Sequence, residues 1–209
     1  MVPTSAPEDV GSLWLATLQR AMGRASHDVK DALNGVSVNI EVVRSRAARP
    51  ETPASAVASF AESAGHQLER LTSLLEAVLA LGRAERSPVD VGATLRRVVT
   101  LCGASTSSDD ASVKLVEDDG GGSTFSPVPP DVARVALLAH LLKLVVSPAR
   151  GTAMSEVTCS LSGRDDGVHV RFAADGRRVS TTDALAEVMR GAGIRWTEGN
   201  DFSLIFPRA

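Results

Sequence analysis

Tyrosine is absent from the 209-residue chain, and with five phenylalanines and two tryptophans aromatics make up only 3% of it. Since 44% of the residues are hydrophobic, a core is affordable in material but must be packed with Ala, Val and Leu, which favours aliphatic helical packing. Charge of one sign is also lacking. Twenty-two basic against 25 acidic residues leave a net charge of −3, which gives no global field for a polyphosphate backbone or an anionic membrane and argues against nucleic-acid binding. The two cysteines, Cys102 and Cys159, lie far apart and form no CxxC or Cys/His cluster, so no metal site is expected and both read as reduced, semi-buried thiols. No stretch approaches the roughly 18 apolar residues of a membrane span. The opening MVPTSAPEDVGS has neither a basic segment nor an apolar run, and a cytoplasmic location is expected.

The richest stretch is MGRASHDVKDALNGVSVNIEVVRSRA, residues 22–47. Met22, Ser26, Val29, Leu33, Val36, Ile40, Val43 and Ala47 recur alternately four and three apart, the seam of a helix packed in a bundle. His27 falls on the flank of that stripe, where its ring would reach water. With Asp28, Lys30 and Asn34 it makes an unusually polar cluster for a helix that must also bury a seam.

In chain order, residues 1–9 read as a flexible tail, and residues 10–86 as a helical hairpin. Its first helix runs to about Arg49. After ARPETPAS a second runs to about Arg86, with Val57, Phe60, Ala64, Leu68, Leu71, Leu75, Val78 and Leu81 repeating the rhythm. Leu13, Trp14, Leu15, Leu18, Leu74 and Leu79 widen the stripes. A single hairpin cannot cover both, so a homodimer forming a four-helix bundle is expected. From Ser87 to residue 209 the pattern shifts to short mixed elements: a helix at 91–102, a strand at 112–118, a loop or loose hairpin at 118–130, a helix at 131–146, strands at 156–163 and 167–174 about RDDG, a Gly-capped helix at 181–193 and a closing hairpin at 194–207. The fold class predicted is α+β, a long hairpin followed by an α/β sandwich.

SHDVKDALNG (26–35) resembles the histidine box of sensor histidine kinases, through His27, Asp28, Val29, Lys30 and Leu33. It differs at Ala32, where the family usually has Pro, and at Asp31, where it usually has Asn or Thr; without Pro the helix should run straighter. SPVDVGATLRRVV (87–99) resembles the segment entering the kinases' Bergerat-like ATP-binding domain. The chemistry of that domain is degenerate here. Leu144 stands where the resemblance implies a magnesium-binding Asn, and the strand end reads Ala174-Asp175-Gly176-Arg177-Arg178 in place of Asp-x-Gly-x-Gly. A shift of one residue would restore Asp175 but not the glycines, and no room for a lid remains between Val179 and Thr182. The whole is similar to histidine phosphotransferases of the ChpT type, which keep the dimerisation bundle and have lost ATP binding.

That resemblance implies a phosphorelay intermediate in which His27 takes a phosphoryl group from one receiver-domain aspartate and passes it to another. Asp28 would accept from the second ring nitrogen, Lys30 would neutralise phosphoryl oxygens and Asn34 would donate a hydrogen bond. No cofactor is implied on this chain, Mg²⁺ being carried by the receiver. The implied partners are response-regulator receivers, or a hybrid histidine kinase. Two alternatives stay open, a dimeric pseudokinase that docks receivers or kinases without carrying phosphate, and an atypical histidine kinase. His66, His140 and His169 are expected in structural or solvent roles and Gly120 to Gly122 in a flexible loop. Arg177 and Arg178 either grip an acidic partner or make a solvated turn.

Overall fold

The computed structural model describes residues 9–49, 51, 53–83, 87–103, 112–117, 122–146, 156–174, 177–199 and 201–209. Residues 1–8 of the expected tail, Gly120, Gly121, Asp175 and Gly176 lie outside the described residues.

Helix α1, Val10–Ala47, starts where Asp9 caps it, its carboxylate accepting from the Gly11 amide at 3.4 Å. It continues through Ala32 without a break; at about 1.5 Å per residue its 38 residues span roughly 57 Å. Helix α2, Ser55–Gly82, returns antiparallel and ends at Gly82, where glycine no longer favours helix and Arg83 turns extended. The helix expected to reach Arg86 thus stops sooner, and residues 84–86 lie outside the described residues.

The second part contains β1 (Val89–Asp90), α3 (Val91–Gly103), β2 (Ser112–Glu117), β3 (Phe125–Ser126), α4 (Pro130–Val145), β4 (Glu156–Arg164), β5 (Gly167–Ala174), α5 (Asp183–Gly191), β6 (Arg195–Thr197) and β7 (Asp201–Phe206). The five-stranded sheet has the order β2-β4-β5-β7-β6, with β2 parallel to β4 and the other pairs antiparallel. The 118–130 stretch, expected as a loop or loose hairpin, departs from the sequence reading, as does the short strand β1, which that reading did not contain. In that stretch β3 makes no hairpin with β2 but pairs antiparallel with β1, Val89 opposite Ser126.

Alternation sorts each strand. Val157, Cys159 and Leu161, Val168, Val170 and Phe172, and Phe202, Leu204 and Phe206 are buried, whereas Ser160, Ser162, Arg171 and Ser203 lie on the other face. The buried face meets α4, twelve of whose 16 residues are buried, so that this helix is apolar all round, as a central helix must be. Helix α5 ends in a left-handed residue, Gly193 at φ +75°, whose amide donates to the Arg190 carbonyl at 3.0 Å while Ile194 donates to Met189 at 2.9 Å.

The two parts share one core. Ala21 and Ala25 of α1 and Leu74 and Leu81 of α2 belong to the same buried cluster as α3, α4 and the sheet. Helix α1 thereby packs on α3 and α4 as well as on α2.

Candidate phosphoacceptor site

The register of the hairpin decides which side chains of α1 reach solvent. Coverage follows Ala21, Ala25 and Asp28, all buried, then Ala32, Gly35, Asn39, Val42 and Arg46, half-buried, again at alternate spacings of four and three. Across the seam Asn39 Nδ2 donates to Ser63 Oγ at 3.2 Å and approaches Gln67 Oε1 at 3.5 Å, while Arg46 donates to the Ala56 carbonyl at 2.9 Å and lies over the Phe60 ring. This seam sits one residue before the one expected from the sequence. Small residues let two helices approach closely, and Asn39 and Arg46 find partners on α2, so the polar and small stripe is satisfied inward. The larger apolar side chains are left outside, with Leu33 47%, Ile40 48%, Leu68 54% and Leu75 48% exposed.

His27 lies clear of this seam, as it did of the expected one. Its ring is exposed, and so are Lys30, Asp31 and Asn34, which follow it by three, four and seven positions and occupy the same side of the helix. Asp28 behaves differently. Adjacent helical positions point about 100° apart, and the one that falls in the seam is Asp28. It is 7% exposed, and its Oδ2 is buried without a hydrogen-bond partner. The carboxylate expected to orient the His27 ring is therefore buried, and no hydrogen bond joins it to that ring. The seven-residue phase was the signal that would have located it: Asp28 lies three after Ala25 and seven before Gly35.

At the positions that the resemblance assigns to nucleotide chemistry, Leu144 is 2% exposed within the core and Ala174 is 7% exposed at the end of β5. Arg178 is exposed, and Arg177 donates to the Leu144 carbonyl, tying this segment to the end of α4. Arg177 is thus engaged within its own chain. Beside them His140 is fully buried and stacks on Phe202 with ring centroids 4.1 Å apart. Its Nδ1 lies 2.6 Å from the Ala136 carbonyl and its Nε2 3.2 Å from Thr181 Oγ1. Burial pushes this imidazole down to about 4, so it is neutral at ordinary pH. Thr181 also donates its amide to Glu198 at 2.9 Å, which holds that carboxyl below its usual range, and Lys143 donates to the Ser180 carbonyl at 2.7 Å.

His169 pairs with Asp166 at 2.7 Å, and that hydrogen bond lowers the Asp166 carboxyl. His66 is exposed on α2. Burial pushes the thiols of Cys102 and Cys159 up to about 12, which leaves them unreactive. Among the described residues no group of three or more His, Cys, Asp or Glu is placed to hold a metal ion, and no helix is long and apolar enough to cross a membrane.

No protein-family model and no curated protein sequence matches the chain. Solved structures similar to it include the blue-light activated histidine kinase EL346 of Erythrobacter litoralis, at 16% identity and a TM-score of 0.44 over 91% of this chain; the chain spans 59% of that structure's length. A bacterial phosphotransferase is similar at 14% identity and a TM-score of 0.42, over 98% of this chain and all of the other. The histidine kinase AdeS of Acinetobacter baumannii is similar at 13% identity and a TM-score of 0.41, over 88% of this chain and 98% of that one. Likeness at this level assigns no function, and the reading that follows rests on the chain's own residues.

Proposed function

We propose that the chain is a homodimeric phosphorelay histidine phosphotransferase, resembling the ChpT type, that carries a phosphoryl group on His27 between receiver-domain aspartates without binding ATP. The observation that carries the reading is an exposed histidine in the histidine-box sequence SHDVKDALNG, on the outward side of a long helical hairpin. An unprotonated ring nitrogen of His27 attacks the phosphorus of a receiver's aspartyl phosphate in line. The bond to the carboxylate oxygen breaks and the carboxylate leaves; the reverse steps load the next receiver. Lys30 neutralises phosphoryl oxygens and Asn34 donates from one turn beyond, both from the helical side that His27 occupies. The receiver supplies Mg²⁺. Leu144, Ala174 and Arg178 offer no metal-binding oxygen, no adenine-binding carboxylate and no glycine for close backbone approach, and these identities favour a receiver as phosphoryl source over ATP or an atypical kinase. The exposed Leu33, Ile40, Leu68 and Leu75 are the faces through which two hairpins would pair.

Asp28 favours one competing reading. With its carboxylate buried, Asp28 does not orient the His27 ring, as would suit a docking pseudokinase that carries no phosphate.

The test is incubation with a phosphorylated receiver and Mg²⁺. Label should appear on this chain in acid-labile, base-stable form and vanish in His27→Ala, while calorimetric titration with Mg·ATP stays flat. If His27→Ala takes label as fast as the parent, the proposal fails, and a saturable ATP isotherm with label on His27 would establish a kinase instead.

A further inference from the structure

Three helices line an open cavity of about 410 Å³ that the phosphotransfer reading does not use. Helix α1 lines it with Leu13, Ala16, Thr17 and Arg20, which are three, four and seven positions apart and so form one side of the helix. Helix α4 contributes Val135, Ala139, Leu142 and Lys143, and the start of α5 contributes Thr182, Ala184 and Leu185. Each wall places an alanine there, so no side chain fills the centre.

The lining is mostly aliphatic, it contains no Asp or Glu, and it carries two cations from different parts of the fold, Arg20 from the hairpin and Lys143 from the sandwich. One donor of Lys143 is committed to the Ser180 carbonyl at 2.7 Å, and an ammonium has two more. The two cations are close enough that Arg20 depresses the Lys143 ammonium, after the larger effects of burial and of Glu198, which opposes it. Glu198 itself is engaged by the Thr181 amide. Two cations over an apolar floor favour an anion between them. The volume lies within the range of roughly 300–1,000 Å³ typical of small-molecule sites. A nucleotide would bring several charges and a polar sugar for which these walls have no partners.

We infer that this cavity binds an amphipathic carboxylate, its hydrocarbon body between Leu13, Val135, Leu142 and Leu185 and its carboxylate between Arg20 and Lys143. Because α1 supplies one wall and α4 and α5 the others, the ligand fastens the hairpin to the sandwich. The inference is independent of phosphorylation at His27.

Decanoate, below its micellar concentration, serves as the probe for the full-length chain. Trp14, half-buried beside Leu13, reports by fluorescence, and calorimetry gives the stoichiometry. Saturable binding of one decanoate per chain is expected, weakened at least tenfold both in Arg20→Glu, which reverses an exposed charge, and in Ala16→Leu, which fills the space from an exposed helix position. Decyltrimethylammonium, the same tail with a cationic head, should not saturate. Absence of saturable decanoate binding up to millimolar concentration, equal affinity for the cationic amphiphile, or unchanged affinity in both variants while circular dichroism shows them folded would each overturn the assignment.

Discussion

Replacing Asp28 by Ala should stabilise the protein although it removes a charged residue from the histidine box. The parent buries Asp28 Oδ2 with no hydrogen-bond partner, and relief of such an unsatisfied group is worth about 1–3 kcal/mol. Alanine adds up to about 0.7 kcal/mol in helix propensity over aspartate. Little is lost in packing, since Ala21, Ala25 and Ala32 already occupy neighbouring seam positions and an alanine continues their surface. A net gain of about 1–3 kcal/mol corresponds to about 2–4 °C in midpoint per kcal/mol for a chain of this size. Thermal and urea unfolding followed by circular dichroism measure it, with Asp31→Ala as the exposed control on the same helix, expected to change stability by within about 0.5 kcal/mol beyond propensity. Transfer to His27 should stay within a few-fold of the parent, because the carboxylate is buried and makes no hydrogen bond to the ring, whereas an acid–base partner would be worth on the order of 10²–10⁴ in rate. A variant less stable than the parent by more than about 1 kcal/mol would mean that the buried carboxylate is held by a partner, and would refute the reasoning.

Two further outcomes are expected. Light scattering should give twice the chain mass of 21.8 kDa, and Ile40→Glu or Leu75→Glu should yield a folded monomer, since each side chain is exposed in the single chain and its burial between hairpins is worth about 1.5–3 kcal/mol; a parent monomeric at micromolar concentration would refute the bundle. His140 is neutral in the fold down to about pH 4 while the unfolded chain protonates it near 6.5, so native stability is unaffected above pH 6.5, falls as pH drops from 6.5 toward 4 and levels below. The full effect is on the order of 3 kcal/mol. In His140→Phe that component of the acid slope should disappear from urea midpoints measured across this window, and an unchanged slope would place protonation elsewhere.

The order of elements after residue 87 was legible because it depends on local signals. Alternation around Arg164-Asp165-Asp166-Gly167 fixes a two-residue hairpin, and Arg164 pairs opposite Gly167 as that turn requires. Gly193 marks the end of α5 because a left-handed residue is needed there. What could not be read was pairing at a distance. Phe125 and Ser126 look like part of a loop because nothing nearby reveals that Val89 and Asp90 lie beside them. The shared core is of the same kind: Ala21 and Ala25 show no sign in sequence of packing with α4, since alanines suit any close helix contact.

The phase of the hairpin was misread for a physical reason. Helix α1 carries two overlapping repeats one residue apart, Ala21, Ala25, Asp28, Ala32, Gly35 and Asn39 beside Met22, Ser26, Val29, Leu33, Val36 and Ile40. Hydrophobicity favours the second as the interior, and a lone pair of helices would be expected to bury it. The fold buries Ala21, Ala25 and Asp28 of the first and half-buries the rest of it, where small side chains permit close approach and Asn39 is met by Ser63 and Gln67, while of the second Val29 and Val36 are half-buried and Met22, Leu33 and Ile40 exposed. An arrangement that leaves the larger apolar stripe outside is economical only when that stripe has a partner of its own, which is the physical argument for two hairpins per assembly. Had the larger stripe faced α2, the helix would be turned by about 100°, and Asp28 would lie toward solvent together with His27. The register decides the place of Asp28, which it buries, and leaves His27 exposed.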